Sequence, residues 1–397
     1  MIKRSPADFR VEEVLDPAVT SSVAAAGPFA LYTLEKESLA TPEAVGQIAR
    51  AMTVPAGAIA YAGLKDKHAS TLQAVTLKME EGRSAPDELS GVGWKIQRLG
   101  FVPRSITAAD IQCNRFRILL RNLTAANSFD IQEAVRLLST PDGLRIVNYF
   151  GDQRFGSARH GRGFMAKHLI KGDFEGALRL AIAVEARKDR MSQKVFKRTL
   201  REHWGRWREV LPKLRRCPER KPIERLANSS GDFRAAFTAL PYLLQQLSVY
   251  AYQSHLWNAI ARGTIARHCT GEDKVIAAED VFGEMLFPIA EAAPRELVEA
   301  QIPLLSRKTL LAEPWREAAI EVLMQEGITL SELAIPGVRR PFFGEEPRAL
   351  FFTASEFQLS PAEPDETATD KSRVKRSVSF SLPRGSYATV VLRALGQ

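Results

Sequence analysis

The sequence predicts a protein of mixed α and β structure with about two domains. Three observations predict this class: the chain has 397 residues, apolar residues alternate with polar ones in several short segments, and in other segments they recur at helical spacing. Chains longer than about 250–300 residues usually divide, because a single core stops growing at that size. With 45% hydrophobic and 25% charged residues, the composition is that of an ordinary soluble globular protein.

The first segments of the chain predict a strand and then a helix. Residues 9–14 alternate apolar and charged side chains, as a strand with one buried face does. Residues 41–43, Thr-Pro-Glu, predict a helix start in which the Thr41 hydroxyl caps the first turn and a proline occupies the first helical position. The residues expected to face the core from this helix are Val45, Ile48, Ala49 and Met52.

Residues 59–75 carry the most informative charge pattern. An apolar segment runs into a glycine, Lys65, Asp66 and Lys67 follow in succession, and the chain turns apolar again at Val75. This predicts a strand, a tight loop and a second strand. A carboxylate between two lysines would be held ionised by its neighbours and presented above the sheet. A solvated, charged hairpin tip is the simpler interpretation, and on spacing alone it is the commoner one.

Further alternation predicts strands at residues 75–79, 94–97 and 114–121, with a loop over 80–91 and a helix over 129–138. In the third of these strands, Phe116 and the next apolar residues share one face while three arginines share the other. An arginine face suits contact with phosphates, although a solvated outer face would have the same pattern. The arginines concerned are Arg115, Arg117 and Arg121.

The charge of the chain favours a polyanionic partner. The formal net charge is +9, the isoelectric point is about 9.5, and nearly all of the excess lies in residues 187–225, where Trp204 and Trp207 sit among lysines and arginines. We expect this segment to dock a nucleic acid. A membrane surface ranks lower, because no apolar run could span a bilayer and the N-terminus has no signal-peptide core.

Cysteine and histidine usage predicts neither disulfides nor a metal site. The three cysteines lie far apart with no Cys-x-x-Cys pattern, which fits a reducing cytoplasm. The six histidines form no His-Glu-x-x-His pattern. His255, on a helix predicted over 241–262, is expected to be a structural helix residue, and the aromatic stripe of that helix is expected to be core. The aromatic and glycine run 148–156 is either a packed turn or a ligand contact.

Several stretches, in the same order along the chain, resemble the TruD family of tRNA pseudouridine synthases. Residues 63–73 resemble the signature loop Gly-x-Lys-Asp-x-x-Ala-x-Thr-x-Gln, and residues 380–389 resemble the closing motif Phe-x-Leu-Pro-x-Gly-Ser-[Tyr/Phe]-Ala-Thr. The other matching stretches are the opening residues Lys3 to Glu13, the Asn-x-Phe of residues 114–116, the run 148–156 and the loop 336–341. One departure is Ala40, where relatives usually carry asparagine.

The resemblance implies an isomerase that converts uridine to pseudouridine in RNA without metal or redox cofactor. Asp66 would be the catalytic nucleophile, attacking the ribose or the base, or it would first abstract a proton from the ribose. Lys3 is a possible partner of Asp66. The residues that the resemblance assigns to substrate binding are Phe9, Glu13, Asn114, Phe116 and Tyr387. The aromatic rings among them would hold the detached base, and the base would have to be flipped out of its stack.

The same resemblance implies an α+β architecture. Residues 1–144 and 355–397 would form a discontinuous catalytic domain with the pseudouridine synthase fold and a mixed, mainly antiparallel sheet. Residues 145–354 would form an inserted, TruD-specific α/β domain, giving a two-lobed cleft. The expected partner is tRNA, with uridine 13 of tRNA for glutamate as the usual bacterial target, and the enzyme is expected to be a cytoplasmic monomer. Another RNA as substrate, or a non-catalytic RNA-binding protein on this scaffold, are the alternatives.

Overall fold

Strands and helices both form in this protein, as the mixed periodicity predicts. The structure is a computed structural model that describes residues 4–80, 84–158, 161–186, 189–229 and 231–397. The strands are β1 Phe9–Leu15, β2 Phe29–Glu37, β3 Ile59–Tyr61, β4 Ser70–Lys78, β5 Glu88–Gly91, β6 Trp94–Val102, β7 Ile111–Leu123, β8 Ser139–Thr140, β9 Gly143–Val147, β10 Val275–Ala278, β11 Met285–Pro288, β12 Gln301–Pro303, β13 Pro347–Ala349, β14 Phe351–Leu359, β15 Glu363–Pro364 and β16 Val374–Pro383.

The helices concentrate in the middle of the chain. They are α1 Pro17–Thr20, α2 Thr41–Ala51, α3 Ala125–Leu138, α4 Met165–Ile170, α5 Phe174–Ile182, α6 Met191–Glu202, α7 Trp207–Val210, α8 Lys221–Asn228, α9 Phe233–Thr238, α10 Tyr242–His268, α11 Arg295–Val298, α12 Arg316–Glu326 and α13 Ala388–Ala394. Contacts divide the chain into two units. Unit 1 comprises residues 1–146 and 352–397, and unit 2 comprises residues 147–351.

Unit 1 is organised around one large mixed sheet. Its strand order is β5-β6-β2-β4-β1-β7-β16-β14-β9-β8, with β3 added to β4 and β15 added to β16. The pairing of β1 with β4 is parallel, whereas β1 with β7, β7 with β16 and β2 with both its neighbours are antiparallel. This mixed and mainly antiparallel sheet confirms the predicted α+β class, while the two-lobed cleft stays a prediction.

The register of the central strands sorts their side chains onto two faces. On β1, β7 and β16, Glu13 lies opposite Asn114, which lies opposite Leu382, and the next row on that face includes Phe116 and Phe380. We call this the first face; the intervening positions point to the second face, because side chains alternate along a strand. The arginines of β7 are on the second face, as the alternation predicts.

Three local predictions need correction. The loop expected over 80–91 contains a strand, β5, which pairs with β6. Helix α3 starts at Ala125, earlier than predicted, because the Thr124 hydroxyl accepts the N–H of Asn127 and caps it there. The Thr41 hydroxyl does not cap α2: it is buried and bonded to other elements, whereas the Glu43 carboxylate accepts the N–H of Ala40 at 3.1 Å. The predicted core residues Val45, Ile48 and Ala49 are buried.

Unit 2 is built around α10, a helix of 27 residues. Trp257 is fully buried, as predicted for the stripe of this helix, but Leu243 and Leu247 at the start of the same stripe are 65% and 40% exposed, so the stripe is core only in the later part of the helix. The run 148–156 forms a packed turn against it: Asn258 accepts the backbone N–H of Phe150 at 2.8 Å and donates to its carbonyl at 2.9 Å. His255 lies 3.5 Å from the Glu326 carboxylate, as a satisfied helix histidine does. None of the helices in the described ranges has the length and hydrophobicity needed to cross a bilayer.

Candidate active site

The loop between β3 and β4, residues 62–69, is fixed by buried polar side chains from two other elements. The Gln73 amide donates to the Gly63 carbonyl at 3.1 Å, and its oxygen accepts from the Thr41 hydroxyl at 2.9 Å. Thr41 in turn accepts the backbone N–H of Lys65 at 3.0 Å. Because Thr41 and Gln73 are both buried, these bonds are shielded from water and hold the loop in one conformation.

Lys65 points into the protein from this loop and forms a buried ion pair with Glu13. The Lys65 side chain is 8% exposed and that of Glu13 is 0% exposed. The second carboxylate oxygen of Glu13 accepts the backbone N–H of Ala74 at 3.2 Å, so both oxygens are satisfied. A buried pair of this kind tolerates the loss of neither partner, since one uncompensated charge would remain. Glu13 therefore ties the loop to β1 and β4.

Lys36 is a second lysine beneath the loop, and it was not among the residues predicted for the site. Its side chain is 1% exposed, and its ammonium group donates to the carbonyls of Leu39 at 2.8 Å and Asp66 at 3.0 Å. Burial lowers the pKa of Lys36 to about 8, while the nearby charge of Asp66 acts in the opposite direction. A signal was present in the sequence: Lys36 follows Leu34 at the spacing of one strand face, and Leu34 is buried.

Asp66 itself lies at the partly exposed tip of this loop. Of the two neighbouring lysines, Lys65 bonds to Glu13 and Lys67 lies 3.0 Å from Glu43. The positive group held beneath the Asp66 backbone is Lys36. The loop thus combines a fixed backbone with an aspartate that is partly exposed.

The first face of the sheet places Asn114 and a set of aromatic rings beside Glu13. Asn114 lies directly opposite Glu13 in the ladder, and its Oδ1 atom is buried without a hydrogen-bond partner among the residues that the structure describes. The Phe116 ring packs edge-on against Phe9, with centroids 6.2 Å apart, and stacks on Phe380 at 5.5 Å. A buried amide oxygen without a donor is uncommon in a folded protein and suits a site whose ligand supplies the donor.

The other residues predicted for the site lie in different settings. Tyr387 is partly exposed and immediately precedes α13. Phe9 is only 3% exposed, so a base could reach its ring only after the residues packed around the ring had moved. Lys3 lies outside the described residues. No set of three histidine, cysteine or acidic side chains suited to a metal ion occurs in the part of the chain that the structure describes.

Comparison with known proteins assigns this chain to a family. The family model described as tRNA pseudouridine synthase D (TruD) matches residues 1–395. The chain belongs to the TruD family. It is therefore a tRNA pseudouridine synthase, an isomerase that converts uridine to pseudouridine in RNA, and the resemblance of its signature motifs is confirmed over nearly the whole chain.

Individual TruD proteins are similar over almost their full lengths. The "Probable tRNA pseudouridine synthase D 2" of Methanocaldococcus jannaschii is 27% identical, with 99% of this chain and 90% of the relative covered. The tRNA pseudouridine synthase D of Aquifex aeolicus is 28% identical, with 99% and 97% covered. The crystal structure of a TruD protein from Methanosarcina mazei has a TM-score of 0.70 at 23% identity and covers 99% of this chain and 92% of that one. This last likeness shows that the fold is shared.

Proposed function

We propose that Asp66 is the nucleophile of this TruD enzyme and that unit 1 is its catalytic domain. The observation that carries the proposal is the fixed loop: Gln73, Thr41 and Lys36 bond its backbone at Gly63, Lys65 and Asp66, while Asp66 is partly exposed. Holding a reacting group in place before the substrate arrives removes much of the entropic cost of the reaction. A charged hairpin tip without a catalytic role would not require three buried polar partners.

The reaction needs only a positioned carboxylate and a pocket for the base. The bond between the ribose and the uracil nitrogen breaks, the detached uracil turns, and a bond from ribose to a ring carbon forms. That carbon loses its proton, and the freed nitrogen takes one up. Substrate and product have the same atoms, so neither an oxidant nor a second substrate is consumed. The pocket must retain a small, flat base while it is unattached, which aromatic surfaces do well. Phe116, Tyr387 and Phe9 are proposed for this role.

Asn114 is proposed to read the polar edge of the uracil. Its buried Oδ1 atom has no hydrogen-bond partner in the described structure, and uracil carries an N–H donor on that edge. Binding the base would supply the missing bond, so recognition would recover the free energy lost in burying the amide. Glu13, which the family resemblance assigns to substrate binding, is proposed to act indirectly, by holding Lys65. Lys3 is proposed as the partner of Asp66.

We propose that unit 2 docks the tRNA through part of the basic segment only. Within that segment, Arg198 and Arg201 both contact the Glu185 carboxylate, at 3.3 and 3.4 Å, so one of their two positive charges is offset within the protein. Lys221 and Arg225 instead line a groove of about 740 Å³ together with the exposed ring of Tyr242. Positive charge beside an exposed aromatic ring suits an RNA backbone with a base stacked against it.

The target is proposed to be uridine 13 of tRNA for glutamate, as is usual for bacterial TruD proteins, with the enzyme acting in the cytoplasm as a monomer. The test uses purified protein and transcripts of this tRNA carrying either uridine or cytidine at position 13. Wild type should form pseudouridine only in the first transcript. Asp66→Asn should reduce the rate by more than about 100-fold, whereas Asp130→Asn, an exposed aspartate on α3, should not change it.

Two results would contradict the proposal. Full activity of the Asp66→Asn protein would remove Asp66 from the mechanism. Pseudouridine formation in the cytidine-13 transcript, or in cellular RNA but not in this tRNA, would reject the proposed position and leave the isomerase activity intact. Mapping pseudouridine across total RNA, with and without the protein, identifies the alternative substrate in that case.

A further inference from the structure

On the second face of the unit 1 sheet, one row of side chains across the strands carries hydrogen-bond donors and no carboxylate. Arg10 on β1 lies directly opposite Arg117 on β7. Arg117 lies opposite Ser379 on β16, and Ser379 lies opposite Gln358 on β14. All of them line one groove of about 680 Å³. The groove is on the face opposite Glu13 and Asn114, so it is distinct from the proposed base pocket.

In the next row on the same face, the arginine lies close to acidic side chains of the protein itself. Arg115 lies 3.9 Å from both Glu12 and Glu356, and the Ser381 hydroxyl donates to Glu356 at 2.8 Å. By contrast, neither Arg10 nor Arg117 has a carboxylate partner among the described residues. The two rows are built on the same strands and differ in whether the protein supplies its own anions.

The remaining charges of the groove are already paired or bonded. Lys375 lies 2.6 Å from Glu366 and 4.0 Å from Glu363, the one acidic residue in the lining. The Arg376 guanidinium is buried and donates to the backbone carbonyls of Ser360 at 2.8 Å and Ser128 at 3.1 Å. Among the described residues, the positive charge that is left without an acidic partner in the groove therefore belongs to Arg10 and Arg117.

Two arginines directly opposite each other across a ladder repel and disfavour the fold. Neighbouring strands lie only about 4.8 Å apart, so a single phosphate group could receive hydrogen bonds from both guanidinium groups. Arginine pairs bind phosphate strongly because their planar donors match its oxygens. We propose that Arg10 and Arg117, with Ser379 and Gln358, form a subsite for backbone phosphates of the tRNA. The choice of tRNA rests on the proposed function; the phosphate chemistry does not.

The experiment compares Arg117→Gln and Arg10→Gln with Arg115→Gln, a control on the same strand and face. Each protein also carries Asp66→Asn, so that binding of the tRNA is measured without turnover, by fluorescence anisotropy over a range of salt concentrations. Arg117→Gln and Arg10→Gln are each expected to raise the Kd about tenfold and to reduce the slope of log K against log salt by about one. Arg115→Gln should change neither quantity. Arg117→Lys, which keeps the charge, should recover part of the affinity.

A loss of tRNA affinity in these variants would not be caused by unfolding, because removing either arginine relieves the repulsion between the two. Thermal unfolding at low salt should therefore show the Arg117→Gln protein at least as stable as the parent. Equal losses of affinity for the 115 and 117 variants, or no loss for Arg117→Gln, would overturn the proposal. A third result would also overturn it: inorganic phosphate stabilises the parent but not the Arg117→Gln protein, and the two bind tRNA equally well. The groove would then hold a free anion.

The binding measurement is independent of the activity assay. Failure of the wild-type enzyme to modify position 13 would reject the proposed target only. Phosphate contacts do not depend on base sequence, so the same difference between the 117 and 115 variants is expected with any RNA that the enzyme binds.

Discussion

The ammonium group of Lys36 donates a hydrogen bond to the backbone carbonyl of Asp66, at 3.0 Å. The bond joins β2, which is an internal strand of the sheet, to the loop that carries the proposed nucleophile. The same ammonium group holds the Leu39 carbonyl just before α2. Lys36 therefore fixes the loop relative to the sheet without presenting its charge to solvent.

Replacing Lys36 by methionine should reduce activity far more than stability. A loop displaced by about 1 Å can cost about 100-fold in rate, because the reacting groups no longer meet correctly. The free energy of unfolding should change by no more than about 1–2 kcal/mol, since loss of the hydrogen bonds is offset by removal of a buried charge. Single-turnover pseudouridine formation and denaturant unfolding measure the two effects. Lys78→Met, at the exposed end of β4, is the control. A parallel loss of rate and stability would contradict the positioning role.

The pH dependence of the reaction should report the same lysine. Burial lowers the pKa of Lys36 to about 8, so the group loses its charge as the pH rises through that value. The rate should fall above pH 8 in the wild type, and Lys36→Arg should remove that fall because arginine stays protonated. The stability of the protein should change in the opposite direction. Between about pH 8 and 10.5 the unfolded chain binds more protons at Lys36 than the folded protein does, so the contribution of Lys36 to the free energy of unfolding rises with pH. Unfolding of wild type and Lys36→Met across this range tests the sign.

Local sequence patterns predicted the strands and helices of the fold, but not which hydrogen bonds its buried polar side chains make. Strand, loop and strand around Asp66 followed from composition alone, because alternation and a glycine determine them locally. Thr41 looked like a helix cap, and the local rule failed because Lys65 and Gln73, distant in sequence, offer it bonds inside the protein. Lys36 was missed because a lysine is rarely buried, so pattern analysis treats it as surface.

The sequence showed how much positive charge a segment carries, but not which acidic residues pair with that charge. The basic segment of unit 2 was evident from sequence, but the shared contact of Arg198 and Arg201 with Glu185 depends on tertiary structure. The same holds for β7, because the sequence alone did not distinguish the surroundings of its alternating arginines. Only the register shows that Arg115 has acidic neighbours and that Arg117 faces another arginine.

Glu13→Gln should destabilise the protein by about 3–5 kcal/mol, because it leaves the Lys65 charge buried and unpaired. Glu13→Gln combined with Lys65→Met should recover most of that loss, since no buried charge remains. Denaturant unfolding of both single variants and the double variant gives the coupling energy. The same proteins distinguish the two roles of Glu13: a positioning role predicts that KM recovers with stability in the double variant, whereas a direct substrate contact predicts that KM stays raised.

Asn114→Ala should lower kcat/KM about tenfold, the usual effect of losing one hydrogen bond between neutral groups. The protein itself should become no less stable, because the substitution removes a buried oxygen that has no hydrogen-bond partner in the described part of the chain. Gln112→Ala, two residues earlier and exposed on the same strand, is the matched control and should leave the rate unchanged. Loss of stability without loss of kcat/KM would show that the amide serves the fold. A retained stability with a raised KM would instead support Asn114 as the residue that reads the uracil.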